Sequence, residues 1–404
     1  MGLGVAKLLK AHDYRVLTVG LGRSEDTLAR IRSAAIESLP SDQELVVQSD
    51  YILSIVPPRD ALATARRISE ACQLPDTAAQ RVRIPDLDGL KTRRKPYYFD
   101  LNAISPRLTR EVGSLLAKGQ GDDDEGTLCH FIDGGIIGGP PSQDPGTKAW
   151  KKPSIVISGS VDLPPSFHSL SEILNMKLVS PTIGSASTLK LSFAALTKGL
   201  TALSILSFST AQKESVLPEL LEHLQQYSPA TASLTAKGIT GMPPKAYRWV
   251  EEMRAIGEAF DTEGDWHGLG ESVYGAFAEV YRTVAEDTIL GEEKIGKRNR
   301  GTTAEDVSDI LARRSQRDVA EESAKRRTGL SMGSAMLACV MGNAFTQGIQ
   351  LASEIGELDA KETPLDRIRI ASHPAPLVDR LESQEGRPWQ QLVFRPGAGV
   401  AKIS

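Results

Sequence analysis

Along the first 180 positions the apolar residues fall into short, nearly continuous runs: VLTV at 16–19, YILSIV at 51–56, YYFDL at 97–101, HFIDGGII at 130–137, SIVISG at 154–159 and MKLVS at 176–180. Stretches of helical spacing separate them; in the first, Val5, Leu8 and Leu9 share one face. Apolar strands without alternation, set between helices, predict a parallel, doubly wound sheet covered on both faces. Two segments rich in Gly or charge, near 85–95 and 118–127, read as surface loops.

From about 184 the strands stop and long helical patterns begin. The first, about 187–214, is apolar nearly all round and is expected at the centre of its domain. A second covers roughly 216–226. A third follows Pro243 and Pro244, which suit a helix start. A fourth places Val273, Phe277, Val280, Tyr281 and Val284 on one face. After about 292 charge becomes dense and apolar periodicity fades. The segment 331–350 is a small-residue, Met-containing patch, and 355–404 shows no convincing element. The organisation expected is an α/β domain over 1–183, an all-α domain over 184–310 and a charged, poorly ordered extension over 311–404. No internal repeat of solenoid period is visible.

Composition narrows the class. The 404 residues are 40% hydrophobic and 24% charged, with a net charge of -4; nucleic-acid binding usually brings a basic excess that is missing here. Cys72, Cys129 and Cys339 stand far apart without metal-ligand spacing and read as reduced thiols of a reducing compartment, the cytoplasm. The histidines form no ligand pattern, so no metal site is expected. The window LKLSFAALTKGLTALSILSF is apolar enough to suggest a membrane span, but Lys198 at its centre favours a buried helix.

The candidate chemistry lies at strand ends. The opening helix, the turn at Asp13–Tyr14 and the strand after it are the second and third steps of a dinucleotide-binding unit; the first, a strand feeding a Gly-rich turn, is absent. After that strand come Gly22, Arg23 and Ser24. An acidic residue there would accept bonds from the ribose 2′-hydroxyl of NAD; Arg23 and Ser24 suit the 2′-phosphate of NADP instead, unless Arg23 is only a solvated turn residue. Val56, Pro57 and Pro58 end a buried strand, as a cofactor-facing loop or merely as a strand stop. Asn102 and Ser105 offer neutral hydrogen-bonding groups, and Gly138 and Gly139 let backbone N–H groups approach a carboxylate, unless they only serve a turn. Gly184 precedes a helix that carries Lys190 in its first turns. A buried lysine can lose its proton readily enough to act as a base. Lys198, farther along the same helix, competes for that role.

In this order the motifs resemble the β-hydroxyacid dehydrogenase superfamily, and most nearly its branch described as 6-phosphogluconate dehydrogenase C-terminal-domain-like. Of that family's opening GxGxMGxxxAxxL, Met1, Gly2, Ala6 and Leu9 match the end. GRS at 22–24 is similar to its NADP loop, DLNAISP at 100–106 to its first substrate motif and DGGIIGGPP at 133–141 to its second. GSASTLK at 184–190 resembles GxGxxxK, which places the family's catalytic lysine at Lys190. The second Gly of that motif is Ala186 here, and the Asn that follows the lysine by four positions is Ala194.

The resemblance covers about 1–310. It implies an NADP-dependent oxidoreductase moving a hydride between nicotinamide and the secondary alcohol of a small acidic substrate, a β-hydroxyacid with decarboxylation following in some members. Lys190 would be the base, Asn102, Ser105, Gly138, Gly139 and Lys198 the substrate contacts, and Gly2, Arg23, Ser24, Val56 and Pro57 the cofactor contacts. A homodimer through the helical domain is implied. Two alternatives stand beside this: imine reduction, which the superfamily also performs, and a non-catalytic form. The absent strand leads to the expectation of an N-terminally truncated chain with two unpaired inner sheet edges; a substitute strand would be sought after 355.

Overall fold

The computed structural model describes residues 1–83, 95–117 and 128–313, and the backbone of 392–396. In chain order the elements are α1 (Gly2–Lys10), β1 (Tyr14–Val19), α2 (Glu25–Ser33), β2 (Glu37–Leu39), α3 (Asp42–Gln48), β3 (Tyr51–Ser54), α4 (Ala61–Gln73), α5 (Pro75–Val82), β4 (Tyr97–Asp100), α6 (Pro106–Ala117), β5 (His130–Ile137), β6 (Ser142–Gln143), β7 (Trp150–Lys151), β8 (Ser154–Ser158), α7 (Phe167–Leu174) and β9 (Met176–Ser180). Then follow α8 (Ser185–Lys213), α9 (Leu217–Tyr227), α10 (Pro229–Gly241), α11 (Ala246–Glu263), α12 (Leu269–Glu286), a helix α13 over 304–313, and β10 (Leu392–Pro396). The two segments expected as loops near 85–95 and 118–127 fall almost wholly outside the described residues, as do the 331–350 patch and Cys339.

All six apolar runs form strands. β3 and β4 are buried along their whole length, which is why they read as continuous rather than alternating. One sheet holds eight strands in the order β2-β1-β10-β3-β4-β5-β8-β9. β1 and β2 run parallel, as do β3, β4 and β5 among themselves, and β8 and β9. The parallel-rich sheet followed by helices is the architecture expected.

Two departures from a wholly parallel sheet stand out. β8 pairs antiparallel to β5. The position between β1 and β3, expected to be empty, holds β10, antiparallel to both, with Val393 opposite Leu17 on one side and Ile52 on the other. Unpaired N–H and C=O groups on two buried strands are costly, so any segment that can reach this slot and pair with both edges gains their hydrogen bonds. Part of the stretch read as lacking elements is therefore a sheet strand.

Two apolar clusters fill the space between the sheet and its covering helices. On one face Val5, Leu8 and Leu9 of α1 pack with Val16, Leu53, Phe99 and Leu170. On the other, Leu17, Ile52 and Tyr98 meet Ile68 of α4 and Val112 of α6. A third cluster belongs to the helices: Leu191, Ala202, Ile205 and Phe208 of α8 with Met253 and Ile256 of α11, Tyr281 and Val284 of α12, and Val307 and Leu311 of α13. Because α13 contributes to this core, the boundary placed at 310 falls inside a helix. The face expected on α12 is rotated: Tyr281 and Val284 are fully buried, but Val273 is 48% exposed and Ala278 takes a core position. α10 was not visible as a separate helix. α8 is long and apolar enough to cross a membrane, and half of its most apolar window is buried inside the protein, as a core helix requires.

Candidate functional site

Asp133, in the middle of HFIDGGII, fixes where α8 begins. Its buried carboxylate accepts bonds from the N–H groups of Gly184, Ala186 and Ser187 at 2.9, 3.0 and 3.1 Å, from Ser158 Oγ at 2.7 Å and from Ser187 Oγ at 2.5 Å. A helix start leaves unpaired N–H donors with partial positive charge, and a carboxylate answers both. Gly184 at φ +102° makes the turn into the helix. Two positions after Asp133 the strand has Gly135, where a Cβ would come within 2.5 Å of Lys190 Cβ. The absence of a side chain there lets the stem of Lys190 lie directly across β5.

Lys190 then reaches α11. Its Nζ donates to Glu252 Oε1, and Lys198 Nζ donates to Oε2 of the same carboxylate. The two lysines are eight residues apart with the small, buried Ala194 between them, so no side chain from α8 blocks Glu252. Only 11% and 17% of the two lysine side chains and 9% of the Glu252 side chain are exposed. Lys198 also lies over the Trp249 ring, 4.9 Å from its centroid, and Trp249 meets Tyr281 edge-on. Tyr281 OH donates to the Lys198 carbonyl at 2.6 Å.

The charges explain the titration. Burial brings the Lys198 ammonium down to about 8, helped by the like charges of Lys190 and Arg248 and opposed by Glu252. Burial alone would raise the Glu252 carboxyl, but Lys198 and Lys190 overcome it and hold it at about 2. Lys245, half-buried at the start of α11, is lowered by burial and by Arg248 and Arg298. Around one carboxylate the helices thus gather a surplus of cations.

The sheet-edge residues are placed differently. Asn102 is buried and bonded on three sides: Oδ1 accepts from Val56 N at 2.6 Å, Nδ2 donates to Ser54 Oγ at 2.9 Å, and its backbone N–H donates to Asp100 Oδ1 at 2.9 Å. Asn102 therefore ties the loop after β3 to the end of β4. Ser105 Oγ accepts from Leu108 N at 3.2 Å at the start of α6. It borders a cavity of about 390 Å³ whose lining includes Arg59, Arg107, Glu251 and Glu258; Lys190 and Lys198 are not among the lining residues, so this cavity is separate from the lysine cluster. Gly138 has φ +116°, a conformation that favours glycine, and a Cβ on Gly139 would meet nothing within 4 Å. Pro140 and Pro141 after them pack against Gly4 of α1, where a Cβ would lie 2.9 Å from the Pro141 carbonyl oxygen. This brings the start of α1, with Gly2 buried at its first position, beside the glycine pair.

After β1, Arg23 is half-buried and its Nε donates to the Val19 carbonyl at 3.3 Å, while Ser24 caps α2 by accepting from Thr27 N at 3.4 Å. Pro57 precedes a single 3-10 turn, Pro58–Asp60. His267 is exposed in the α11–α12 turn. The structure thus joins Lys190 with Lys198, and Gly2 with the 138–141 loop. It brings together two cysteines read as distant: Cys72 and Cys129 sulfurs are 3.3 Å apart. Among the described residues no group of three or more metal-ligating side chains occurs.

Three residues escaped the sequence reading. Glu252 sits three positions after Trp249 and four before Ile256, on the apolar face of α11, and that spacing marked it as buried beside the exposed Glu251. Asp133 was visible only as part of a glycine-rich strand, and Gly135 only as one glycine among several.

The fold and these residues define a Rossmann-type sheet followed by a set of helices whose first long member carries a buried lysine pair. Residues 211–284, in the helical part of the chain, match the family model described as "Domain of unknown function (DUF1932)". An uncharacterised 28.5 kDa protein of Methanothermus fervidus is 26% identical over 215 residues, 52% of this chain and 67% of that protein. A conserved hypothetical protein from Sinorhizobium meliloti 1021 aligns with a TM-score of 0.49 at 18% identity, over 78% of this chain and 93% of the other. The 3-hydroxyisobutyrate dehydrogenase of Mycobacterium tuberculosis, solved with L-serine, aligns at 0.45 and 15% identity, over 70% and 94%.

Proposed function

We propose that the protein is an NADP-dependent oxidoreductase that moves a hydride between nicotinamide and the secondary alcohol of a small hydroxyacid. The observation that carries this reading is the seating of Lys190: on a helix whose start is fixed by Asp133, against Gly135, in a buried cluster with an excess of positive charge. Lys190 takes the proton of the substrate hydroxyl, breaking O–H as N–H forms; in the reverse direction it returns it. The cations Lys190, Lys198, Lys245 and Arg248 favour an anionic substrate, and the bare backbone at Gly138 and Gly139 suits its carboxylate. Where the acid is β to the alcohol, the keto product can lose CO2.

For the cofactor, Gly22 leaves open space beside Arg23 and Ser24 at the start of α2, which fits a 2′-phosphate. Gly2 at the start of α1 and the Val56–Pro57 loop would hold the rest, and when bound the nicotinamide supplies or accepts the hydride. A homodimer through the helical domain is part of the same reading. Leu189, Phe193, Leu196, Leu203 and Leu206 form an exposed apolar stripe along α8 that a second copy would cover.

The test is a panel of small hydroxyacids with NADP and NAD, read by NADPH absorbance, beside a panel of cyclic imines with NADPH. Turnover of a hydroxyacid with NADP supports the reading. Turnover of imines alone overturns it in favour of imine reduction.

A further inference from the structure

We propose that Glu252 is a positioning residue that couples Lys190 to Lys198 through its two carboxylate oxygens, so that the three side chains hold and release a proton as one unit. This rests on Lys190 being the proton-transfer group. Oε1 accepts from one ammonium and Oε2 from the other, and the groups come from two helices: the lysines from α8, the carboxylate from α11.

The electrostatics follow from the count of charges. With both lysines protonated and Glu252 ionised, a buried site carries one uncompensated positive charge. Burial without compensation is costly, so the unit sheds one proton more readily than an isolated lysine does. That loss corresponds to the depressed titration of Lys198, near 8. It leaves one ammonium, one carboxylate and one neutral amine; passage of the Lys190 proton through Glu252 to Lys198 puts the neutral amine, which a base requires, on Lys190. When Lys190 accepts a proton from an alcohol, the unit returns to its excess positive charge. Glu252 keeps Lys190 extended along Gly135 in both states.

The charged and titratable groups facing the unit are few. α8 contributes the two lysines, and α11 contributes Glu252 and, more exposed, Arg248, whose charge also disfavours protonated Lys198. α12 contributes Tyr281, whose hydroxyl is raised by burial and stays neutral while it donates to the Lys198 carbonyl. β5 presents Gly135 and adds no charge.

The experiment is competitive labelling of the full chain with acetic anhydride from pH 6 to 10, with peptide mass spectrometry reading the labelling midpoint of Lys198 and Lys190 separately. In the unmodified protein Lys198 is expected to reach half-labelling near pH 8. In Glu252→Gln, which removes the counter-charge, Lys198 labels at a pH at least one unit lower. In Lys190→Met, which removes the like charge, the Lys198 midpoint moves up by about a unit. Glu252→Asp retains the coupling in part. A Lys198 midpoint unchanged across Glu252→Gln and Lys190→Met overturns the proposal. If Glu252→Gln does not fold, as circular dichroism would show, the Lys190→Met shift decides alone. No substrate enters the measurement, so coupling found in a protein that turns over no hydroxyacid removes the proposed function and leaves the coupled unit standing.

Discussion

At the carboxyl edge of the sheet, Asp133 and Asn102 are each held by hydrogen bonds from neighbouring elements; along the seam of α8 and α11 two lysines share one carboxylate and leave a charge over. Asp133 spends both oxygens on the start of α8, and Asn102 spends its amide on Val56 and Ser54. Both regions look equally chemical as sequence, since each has polar residues set among glycines. The structure separates them. The sheet edge is an anchor that fixes the direction of a helix, and the seam six residues along that helix carries the buried lysine pair. A polar residue in a strand-end motif can thus act on chemistry entirely through what it orients.

The strongest way to break this comparison is Asp133→Ala. It leaves three helix N–H donors and two hydroxyls without their acceptor, and removal of a buried charged partner costs about 3–5 kcal/mol. Urea unfolding of the variant should show that loss. A loss below about 1 kcal/mol would mean that α8 does not depend on the strand.

Asp100 sharpens the contrast next. It lies opposite Asp133 in the β4–β5 register. Burial raises its carboxyl to about 7 against the backbone hydrogen bond from Asn102, and the Asp133 charge adds to the rise. The folded state therefore holds this proton more tightly than the unfolded chain, whose value is near 3.8. The stabilisation from that proton is fully present below about pH 4 and is lost as pH rises through 7. Asp100→Asn removes the ionisation, so its denaturant midpoint should be flatter across pH 4–8. At pH 8 it should exceed the unmodified protein by about 2–4 kcal/mol, from some three pH units at 1.36 kcal/mol each. Parallel pH profiles of the two proteins would show that Asp100 is not the titrating group.

A smaller effect is expected at the far end of the edge. If the protein binds NADP as proposed, Arg23→Asp removes a charge-assisted contact to its 2′-phosphate worth about 1.5–3 kcal/mol. The preference for NADPH over NADH in fluorescence titration should shrink by about 10- to 100-fold. Equal binding of both cofactors by the unmodified protein would remove Arg23 from the site.

How much of this was legible in the chain follows from where the information lies. The strands through Ile52, Tyr98 and Ile132 were readable because burial on both faces requires unbroken apolar runs. α8 was readable from apolarity over many turns, and the burial of Lys190 from its place in the first turns of that helix. β10 was not readable. Five residues between Pro and Gly carry little pattern of their own, and their partners Leu17 and Ile52 are more than 300 positions away. Glu252 was half-legible: the period of α11 put it on the buried face, but the lysines that justify a carboxylate there come from another helix. Asn102 could be singled out by type, but its bonds to Val56 and Ser54 could not, because those partners lie 46 and 48 positions away at another strand's end.

The central claim is that the chemistry sits at the seam, on Lys190. Its most direct test is Lys190→Met in the full chain, measured twice: NADPH affinity by fluorescence titration, and turnover of whichever hydroxyacid the panel identifies. The account predicts affinity within about twofold of the unmodified protein and turnover lower by roughly 10²- to 10⁴-fold, the contribution of a general base. Retained turnover in Lys190→Met, with activity lost instead in Lys198→Ala, would contradict it.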